Sequence, residues 1–160
     1  MSVLVVVMGV TGSGKSTVGV ALAERMGVPF ADADDFHSPA NVAKMRSGVP
    51  LTDEDRRPWL LTIGTWLAEH AAGGAVVPCS ALKRAYRDTL REAAPTVSFL
   101  HLHGDRATVA ARVGAREGHF MPESLVDSQF AALEPLGADE RGVAVDFTLP
   151  VDVIVDRFLE

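Results

Sequence analysis

Apolar and amphipathic segments alternate along the 160-residue chain. Val3 to Met8 is a continuous valine-rich run, which is typical of a strand buried on both faces of a parallel sheet. In the next segment Val18, Leu22 and Met26 recur at a spacing of four, which predicts a helix that ends at Gly27. The same reasoning predicts further strands at 28–34, 75–80, 97–104 and 142–148. This alternation favours an α/β fold with a parallel sheet covered on both faces.

Further helices are predicted in the segments between and after these strands. Thr52 is the expected N-cap of a helix whose apolar stripe includes Trp59 and Ile63. Asp105 is the expected N-cap of another helix, which runs to about Arg116. The remaining helices are expected at 41–48, 82–94, 123–133 and 151–159. There is no internal repeat and no linker-like segment, so a single domain over residues 1–160 is expected.

Charge and cysteine content limit the partners and the cellular location that the protein is expected to have. The net charge of −6 argues against a nucleic-acid partner bound by bulk electrostatics, and it requires local positive clusters around any anionic ligand. A single cysteine, Cys79, allows no internal disulfide. The apolar N-terminus lacks a basic leader, and no stretch is long enough to span a bilayer. A cytoplasmic protein is expected, without a membrane partner.

Residues 9–17 read GVTGSGKST, between a predicted buried strand and a predicted helix. This spacing and context are those of a P-loop, in which backbone N–H groups surround a phosphate chain. The lysine reaches the outer phosphates, and the hydroxyl after it binds Mg²⁺. The expected nucleotide-binding residues are Gly9, Thr11, Gly12, Ser13, Gly14, Lys15, Ser16 and Thr17, with Ser16 as the metal ligand. The motif alone does not separate kinases from GTPases or motor ATPases.

A small-molecule kinase fits the length, and no guanine-specific N/T-K-x-D motif follows a later strand. A kinase needs an acceptor site beside the P-loop and a lid that excludes water. Asp34 lies at the carboxyl end of the second predicted strand and is a candidate either to accept the proton of an acceptor hydroxyl or to orient that hydroxyl in line with the γ-phosphate. Asp35 is interpreted instead as a helix cap. Arg112 and Arg116 are candidate lid arginines, with Gly114 and Gly118 as hinges.

Two basic clusters are candidates to hold an acceptor carboxylate. One contains Arg56 and Arg57, and the other Lys83, Arg84 and Arg87, of which Arg84 is expected to face solvent, as is Arg91. Some other residues are interpreted as structural: Cys79 as a buried residue, His101 and His103 as packed or partly exposed, His70 as a helix-end residue, and Trp59 and Trp66 as core or dimer surface.

Several segments together resemble one family over nearly the whole chain. They are MGVTGSGKST, DADDFHSPANVAKMRSGVPLTDEDRRPWL, CSALKRAYRDTLR, GHFMPESLVDSQFAALEPL and ADERG. The chain is thereby similar to gluconate kinase, in the shikimate-kinase-like group of P-loop kinases. The resemblance implies a five-stranded parallel sheet in the order 2-3-1-4-5, a lid near residues 113–124, an acceptor region near 34–72 and a homodimer. It also implies ATP- and Mg²⁺-dependent phosphorylation of D-gluconate on its 6-hydroxyl, which feeds the pentose phosphate and Entner–Doudoroff routes.

The resemblance also implies roles by position. Lys15, Asp34 and Arg116 look catalytic, with Asp34 as the acceptor-hydroxyl residue, and Arg112 looks like the arginine that lies against adenine. The implied acceptor contacts are Asp34, His37, Arg56, Ser80, Lys83, His119 and Gln129. One departure is that His37-Ser38-Pro39 stands where relatives often have His-Pro. Another small-molecule kinase, or a nucleotide-binding module without catalysis, stays open as an alternative.

Overall fold

A computed structural model describes residues 3–114 and 123–160. Within these residues four parallel strands form one sheet in the order β2-β1-β3-β4. Val5 of β1 pairs with Val76 of β2 on one side and with Ser98 of β3 on the other. The strands are β1 Leu4–Met8, β2 Ala75–Pro78, β3 Ser98–His103 and β4 Gly142–Asp146.

The strand expected at 28–34 is reduced to one parallel bridge, between Phe30 and Val76. Pro29 has no N–H to donate to a ladder, and a 3₁₀ turn, Ala33–Phe36, begins soon after the bridge. Phe30 lies on the side of β2 that faces away from β1, at the edge of the sheet. The described sheet therefore has four strands rather than the expected five, and the predicted length of this strand is wrong. When the bridge is counted as a strand, the order agrees with the expected 2-3-1-4-5.

Seven helices lie in the described part of the chain. They are α1 Lys15–Met26, α2 Pro39–Arg46, α3 Asp53–Glu69, α4 Arg84–Ala93, α5 Arg106–Gly114, α6 Glu123–Ala132 and α7 Val151–Leu159. The Thr52 side chain accepts from the N–H of Asp55 and the Asp55 side chain accepts from the N–H of Thr52, a capping box that starts α3 as predicted. Asp105 accepts from the N–H of Thr108, as expected of a cap.

Each face of the sheet carries its own apolar core, because successive strand residues point to opposite faces. Val5, Val7, Leu100 and Leu102 pack in one cluster with buried residues of α1, α5 and α7. Val6, Met8 and Phe99 pack in the other with α3 and α4. The result is a three-layer α/β/α arrangement. Trp59, Ile63 and Leu67 of α3 are buried, and Cys79 is buried, as predicted.

This topology brings the loops after β1, the Phe30 bridge and β2 to one edge of the sheet, where ligands of open α/β sheets bind. No helix among the described residues is long and apolar enough to cross a membrane.

Candidate active site

The loop between β1 and α1 is open toward a cavity of about 240 Å³, lined by Thr11, Gly12, Gly14, Lys15, Ser16, Thr17 and Asp34. Gly14 has a φ of 93° and directly precedes α1, and Gly12 has a φ of 78°. Both values lie in the left-handed region that glycine tolerates. The hydroxyl of Ser13 is buried and has no hydrogen-bond partner in the described structure. A loop of this form suits a phosphate chain, which accepts from N–H and O–H groups.

Gly9 differs from the other loop residues. Its N–H donates to the carbonyl of Ser80 at 3.2 Å, which joins this loop to the segment after β2. Gly9 does not line the cavity, so the structure places it as a link between the two loops.

Lys15 and Asp34 share a second cavity of about 260 Å³ with Ser80. The Lys15 ammonium donates to the carbonyl of Val10 at 3.0 Å. Thr11, Ser16, Trp59 and Gln129 also line this cavity, and the N–H of Thr11 donates to Oε1 of Gln129 at 2.6 Å. The sequence-predicted Lys15, Ser16, Asp34, Ser80 and Gln129 are therefore brought together.

Asp34 is held in the 3₁₀ turn, where its N–H donates to the side chain of Asp32 at 2.9 Å. Burial raises the pKa of Asp34, the neighbouring Asp32 raises it further, and His37 and Lys15 oppose the rise. Asp35 is not the cap that the sequence suggested. Asp32 caps the 3₁₀ turn and Ser38 caps α2, because their side chains reach the N–H groups that these turns leave unpaired.

His37 stacks on Trp59, with ring centroids 4.2 Å apart and planes 11° apart. The Trp59 indole N–H donates to the carbonyl of Ala33 at 2.7 Å, so the stack is tied to the 3₁₀ turn. Burial lowers the pKa of His37, and Asp34 opposes that effect. Pro39 is the first residue of α2 after the Ser38 cap, a position that proline favours, so the His-Ser-Pro sequence starts this helix normally.

A third cavity, of about 190 Å³, is lined by Asp34, His37, Arg56, Ser80 and Tyr86, among others. Arg56 donates to the carbonyl of Leu51 at 2.8 Å and to the Tyr86 hydroxyl at 3.3 Å. The Lys83 ammonium lies 5.6 Å from the centroid of the Tyr86 ring. Of the predicted acceptor residues, Arg56 and Lys83 therefore lie beside Tyr86, and His37 and Ser80 line the same cavity as Tyr86.

The phenol of Tyr86 donates to Asp53 at 2.5 Å, and Lys83 lies 3.5 Å from the same carboxylate. The hydrogen bond from Tyr86 lowers the pKa of Asp53. Sequence reasoning missed Tyr86, Asp53 and Trp59 as site residues. Trp59 and Asp53 stand three residues on either side of Arg56 in one helix, so helical spacing was an available signal.

Arg87 is not an acceptor contact. Its side chain is fully buried and pairs with Glu140 at 2.7 Å. Arg57 pairs instead with Glu92 on the surface. Arg84 pairs with Asp139 and is partly exposed, whereas Arg91 is less exposed than predicted because it contacts the buried Glu140.

A further group of candidate site residues lies beside α5. Arg112 donates to the carbonyls of Gly12 at 3.3 Å and Phe147 at 3.1 Å, and its guanidinium lies 4.5 Å from the Phe147 ring centroid. A cavity of about 290 Å³ adjoins them, lined also by Ser13, Thr17 and Pro150. Phe147 follows β4 and was not predicted as a site residue. A flat cationic group over an aromatic ring suits the packing of a purine base.

A family model described as shikimate kinase matches residues 11–134. The gluconokinase of Gluconobacter oxydans (strain 621H) is 47% identical in an alignment of 156 residues that covers 96% of this chain and 88% of the relative. The crystal structure of a gluconokinase from Sinorhizobium meliloti 1021 has 51% identity and a TM-score of 0.88, over 98% of this chain and 89% of that one. The chain belongs to the gluconokinase family, within the shikimate kinase group.

The gluconokinase chain also shares its fold with more distant kinases. A crystal structure of shikimate kinase from Bacteroides thetaiotaomicron has 17% identity, a TM-score of 0.68 and coverage of 97% of this chain and 95% of that one. This likeness shows the fold alone. The predicted P-loop α/β fold is confirmed.

Two predicted site residues, Arg116 and His119, lie outside the described residues, as do positions 115–122 of the predicted lid. In the described part no group of three or more His, Cys, Asp or Glu side chains is arranged to hold a metal ion. A Mg²⁺ ion would instead suit the Ser16 hydroxyl beside the phosphates, since this cation keeps several waters and binds phosphate oxygens.

Proposed function

We propose that this protein transfers the γ-phosphoryl group of ATP to the 6-hydroxyl of D-gluconate, giving 6-phosphogluconate and ADP. The observation that carries the proposal is that one cavity is lined by Lys15, Asp34 and Ser80 and adjoins the cavity of Arg56 and Tyr86. The gluconokinase relatives, at 41–47% identity over most of the chain in three bacterial examples, support the choice of acceptor.

In this proposal the P-loop holds the phosphates and Lys15 stabilises the charge on the transferring group. Asp34 orients the acceptor hydroxyl and takes its proton as the oxygen bonds to the γ-phosphorus and the bond to the ADP oxygen breaks. Mg²⁺, held by Ser16 and the phosphates, supplies further charge neutralisation when bound. Arg112 packs at the adenine end, and Arg116 and His119 act from a lid near 113–124.

The acceptor is held, in the same proposal, by the region near 34–72 together with the segment after β2. Arg56 and Lys83 bind the gluconate carboxylate, and His37, Ser80 and Gln129 contact its hydroxyl groups. Arg56 suits this role because a guanidinium binds a carboxylate through two parallel hydrogen bonds.

A homodimer, a cytoplasmic location and entry of the product into the pentose phosphate and Entner–Doudoroff routes are further parts of the proposal and rest on the family resemblance. Light scattering on the purified protein tests the dimer directly, since a monomer mass at micromolar concentration would reject it.

The test is ADP release from MgATP with D-gluconate, with shikimate, with a nucleoside monophosphate mixture and with no acceptor. We expect release with gluconate alone, a product phosphorylated at C6, and no turnover by Lys15→Ala. Arg25→Ala, on the same helix but paired with Asp156 far from the P-loop, is the control that should keep full activity. Release with another acceptor would reject gluconate, and no acceptor-dependent release would reject a kinase.

A further inference from the structure

The segment after β2, Cys79–Lys83, is called the acceptor loop here because it carries Ser80 and Lys83. Its three central carbonyls all accept hydrogen bonds. Ser80 accepts from the N–H of Gly9 at 3.2 Å, and Leu82 accepts from the N–H of Glu134 at 2.7 Å. Arg87 donates to Ala81 at 2.9 Å and to Leu82 at 3.2 Å, both through the same guanidinium nitrogen.

Ala81, at the centre of this loop, has a φ of 44° and is buried. Among the described residues, no other non-glycine residue has a positive φ. A side chain in this region is strained, and such strain persists only where surrounding contacts hold the backbone. The Arg87 guanidinium supplies such a contact at the strained residue itself.

Arg87 is held in turn by Glu140, in the turn before β4. Its Nε and a second nitrogen donate to the two carboxylate oxygens at 2.7 and 3.0 Å. The side chains of Arg87 and Glu140 are 0% and 1% exposed. Burial alone would raise the pKa of Glu140, but hydrogen bonds from Arg87, the Gly137 N–H and Arg91 lower it to about 2. Glu140 therefore stays ionised, and neither side chain lines the cavity of Arg56 and Tyr86.

Stability alone does not explain such a pair, because a buried ion pair is often no better than well-packed apolar side chains of similar volume. What apolar side chains cannot do is donate to the carbonyls of the acceptor loop. These donations fix the turn between Ser80 and Lys83, and therefore the distance of both residues from Asp34.

We propose that Arg87, oriented by Glu140, is a positioning residue for the acceptor: it holds the acceptor loop in the strained turn that places Ser80 and Lys83. The inference rests on the proposed function, and it assigns Arg87 an effect on acceptor binding rather than on ATP binding. The P-loop keeps its own backbone contacts without Arg87, apart from the Gly9 link to Ser80.

The test compares KM for gluconate, KM for ATP and Tm in the wild type and in the double variant Arg87→Met/Glu140→Leu. The double variant keeps the summed side-chain volume at positions 87 and 140 and removes both buried charges. We expect KM for gluconate to rise about tenfold or more, as for loss of hydrogen bonds from a charged donor, with KM for ATP close to wild type. Tm should fall, because the Gly137 N–H and Arg91 lose Glu140 as their acceptor, and a cooperative melting transition shows that the variant folds. Arg91→Met is the matched control, because Arg91 contacts Glu140 but donates to no carbonyl of the acceptor loop. It should leave KM for gluconate unchanged.

Three results are decisive. If the wild type itself shows no gluconate-dependent ADP release, the proposed function fails before the inference is reached. If the wild type is active and the folded double variant has an unchanged KM for gluconate, or if both KM values rise together, the inference is overturned. Should the double variant not fold, Arg87→Lys takes its place, since a lysine retains the charge but has one nitrogen where arginine uses two on Glu140 and a third on the carbonyls. An unchanged KM for gluconate in Arg87→Lys overturns the inference equally.

Discussion

The side-chain oxygen of Gln129 accepts a hydrogen bond from the backbone N–H of Thr11 at 2.6 Å, between residues 118 positions apart. The contact joins α6 to the P-loop. N–H groups of such a loop donate to phosphate oxygens when a nucleotide is bound. Gln129 and a phosphate therefore compete for the same donor.

Gln129→Ala should bind ATP more tightly and use gluconate less well. Removing the competing acceptor frees the Thr11 N–H, so we expect the dissociation constant for ATP to fall by about fivefold, the size of one neutral hydrogen bond. Loss of the acceptor contact should raise KM for gluconate by a similar factor. Titration with a fluorescent ATP analogue and steady-state kinetics measure the two effects. Ser128→Ala, the exposed neighbour on α6, should change neither, and weaker nucleotide binding by Gln129→Ala would show that the contact supports the loop instead.

Asp34 should determine the acid limb of the pH profile. A residue that takes a proton must be ionised, so activity should rise with pH as Asp34 loses its own proton. Because burial raises the pKa of Asp34, this rise should occur above the ordinary range for an aspartate. In Asp34→Asn we expect kcat to fall by about 100-fold or more, with ATP binding retained. The kcat profile from pH 4 to 8 is the measurement, and Asp35→Asn is the control. A variant at position 34 with near-normal kcat would reject the assigned role.

The P-loop and the positions of most strands could be predicted because each depends on local pattern, whereas the order of the strands was implied by the family resemblance. Glycine spacing between a buried strand and a helix defines the loop, and apolar runs define the strands. Asp34 could be predicted because strand ends converge at one edge of the sheet.

Arg87 shows what local pattern could not supply. In the sequence it stands four residues from Lys83 in a basic helix, and both look like acceptor contacts. Only the fold shows that Glu140, which is 53 residues away, buries one of them and leaves the other beside Tyr86. Trp59, which the sequence pattern suggested as core or dimer surface, is a second example. Residues of the core and residues that line a pocket follow the same hydrophobic periodicity in a helix, so the sequence does not separate them. Trp59 is largely buried and also lines the cavity of Lys15 and Asp34.

Trp59 should report acceptor binding through its fluorescence. It lines the cavities around Asp34 and stacks on His37, whereas Trp66 packs against Phe36 and His70 away from them. We expect gluconate to change the emission of the wild type and of Trp66→Phe, and to have no effect on emission in Trp59→Phe. Trp59→Phe also loses the hydrogen bond to Ala33, so its KM for gluconate should rise about fivefold. If the emission change on adding gluconate is lost in Trp66→Phe and kept in Trp59→Phe, the acceptor binds elsewhere.

His101 should make the fold sensitive to acid. It is buried on β3, its Nε2 has no partner in the described structure, and burial lowers its pKa to about 4, with His103 and Arg87 adding to the shift. The unfolded chain has an ordinary histidine pKa near 6.5. Between these values the unfolded state binds a proton that the folded state does not. The free energy of unfolding contributed by His101 is therefore complete above about pH 6.5 and decreases as the pH falls toward 4.

Urea unfolding at pH 7.5 and pH 5 measures this sensitivity. His101→Phe keeps a ring of similar size and removes the titrating group, so its stability should fall less between the two pH values than that of the wild type. The difference cannot exceed about 1.4 kcal/mol per pH unit for one proton. His103→Phe is the matched comparison on the same strand, because His103 is exposed and only adds to the shift that burial causes at His101, so most of the wild-type slope should remain. His37, whose pKa burial also lowers, accounts for part of the slope that remains in both variants. If His101→Phe and the wild type lose stability equally, the buried ring does not titrate in this window and the acid sensitivity comes from other groups.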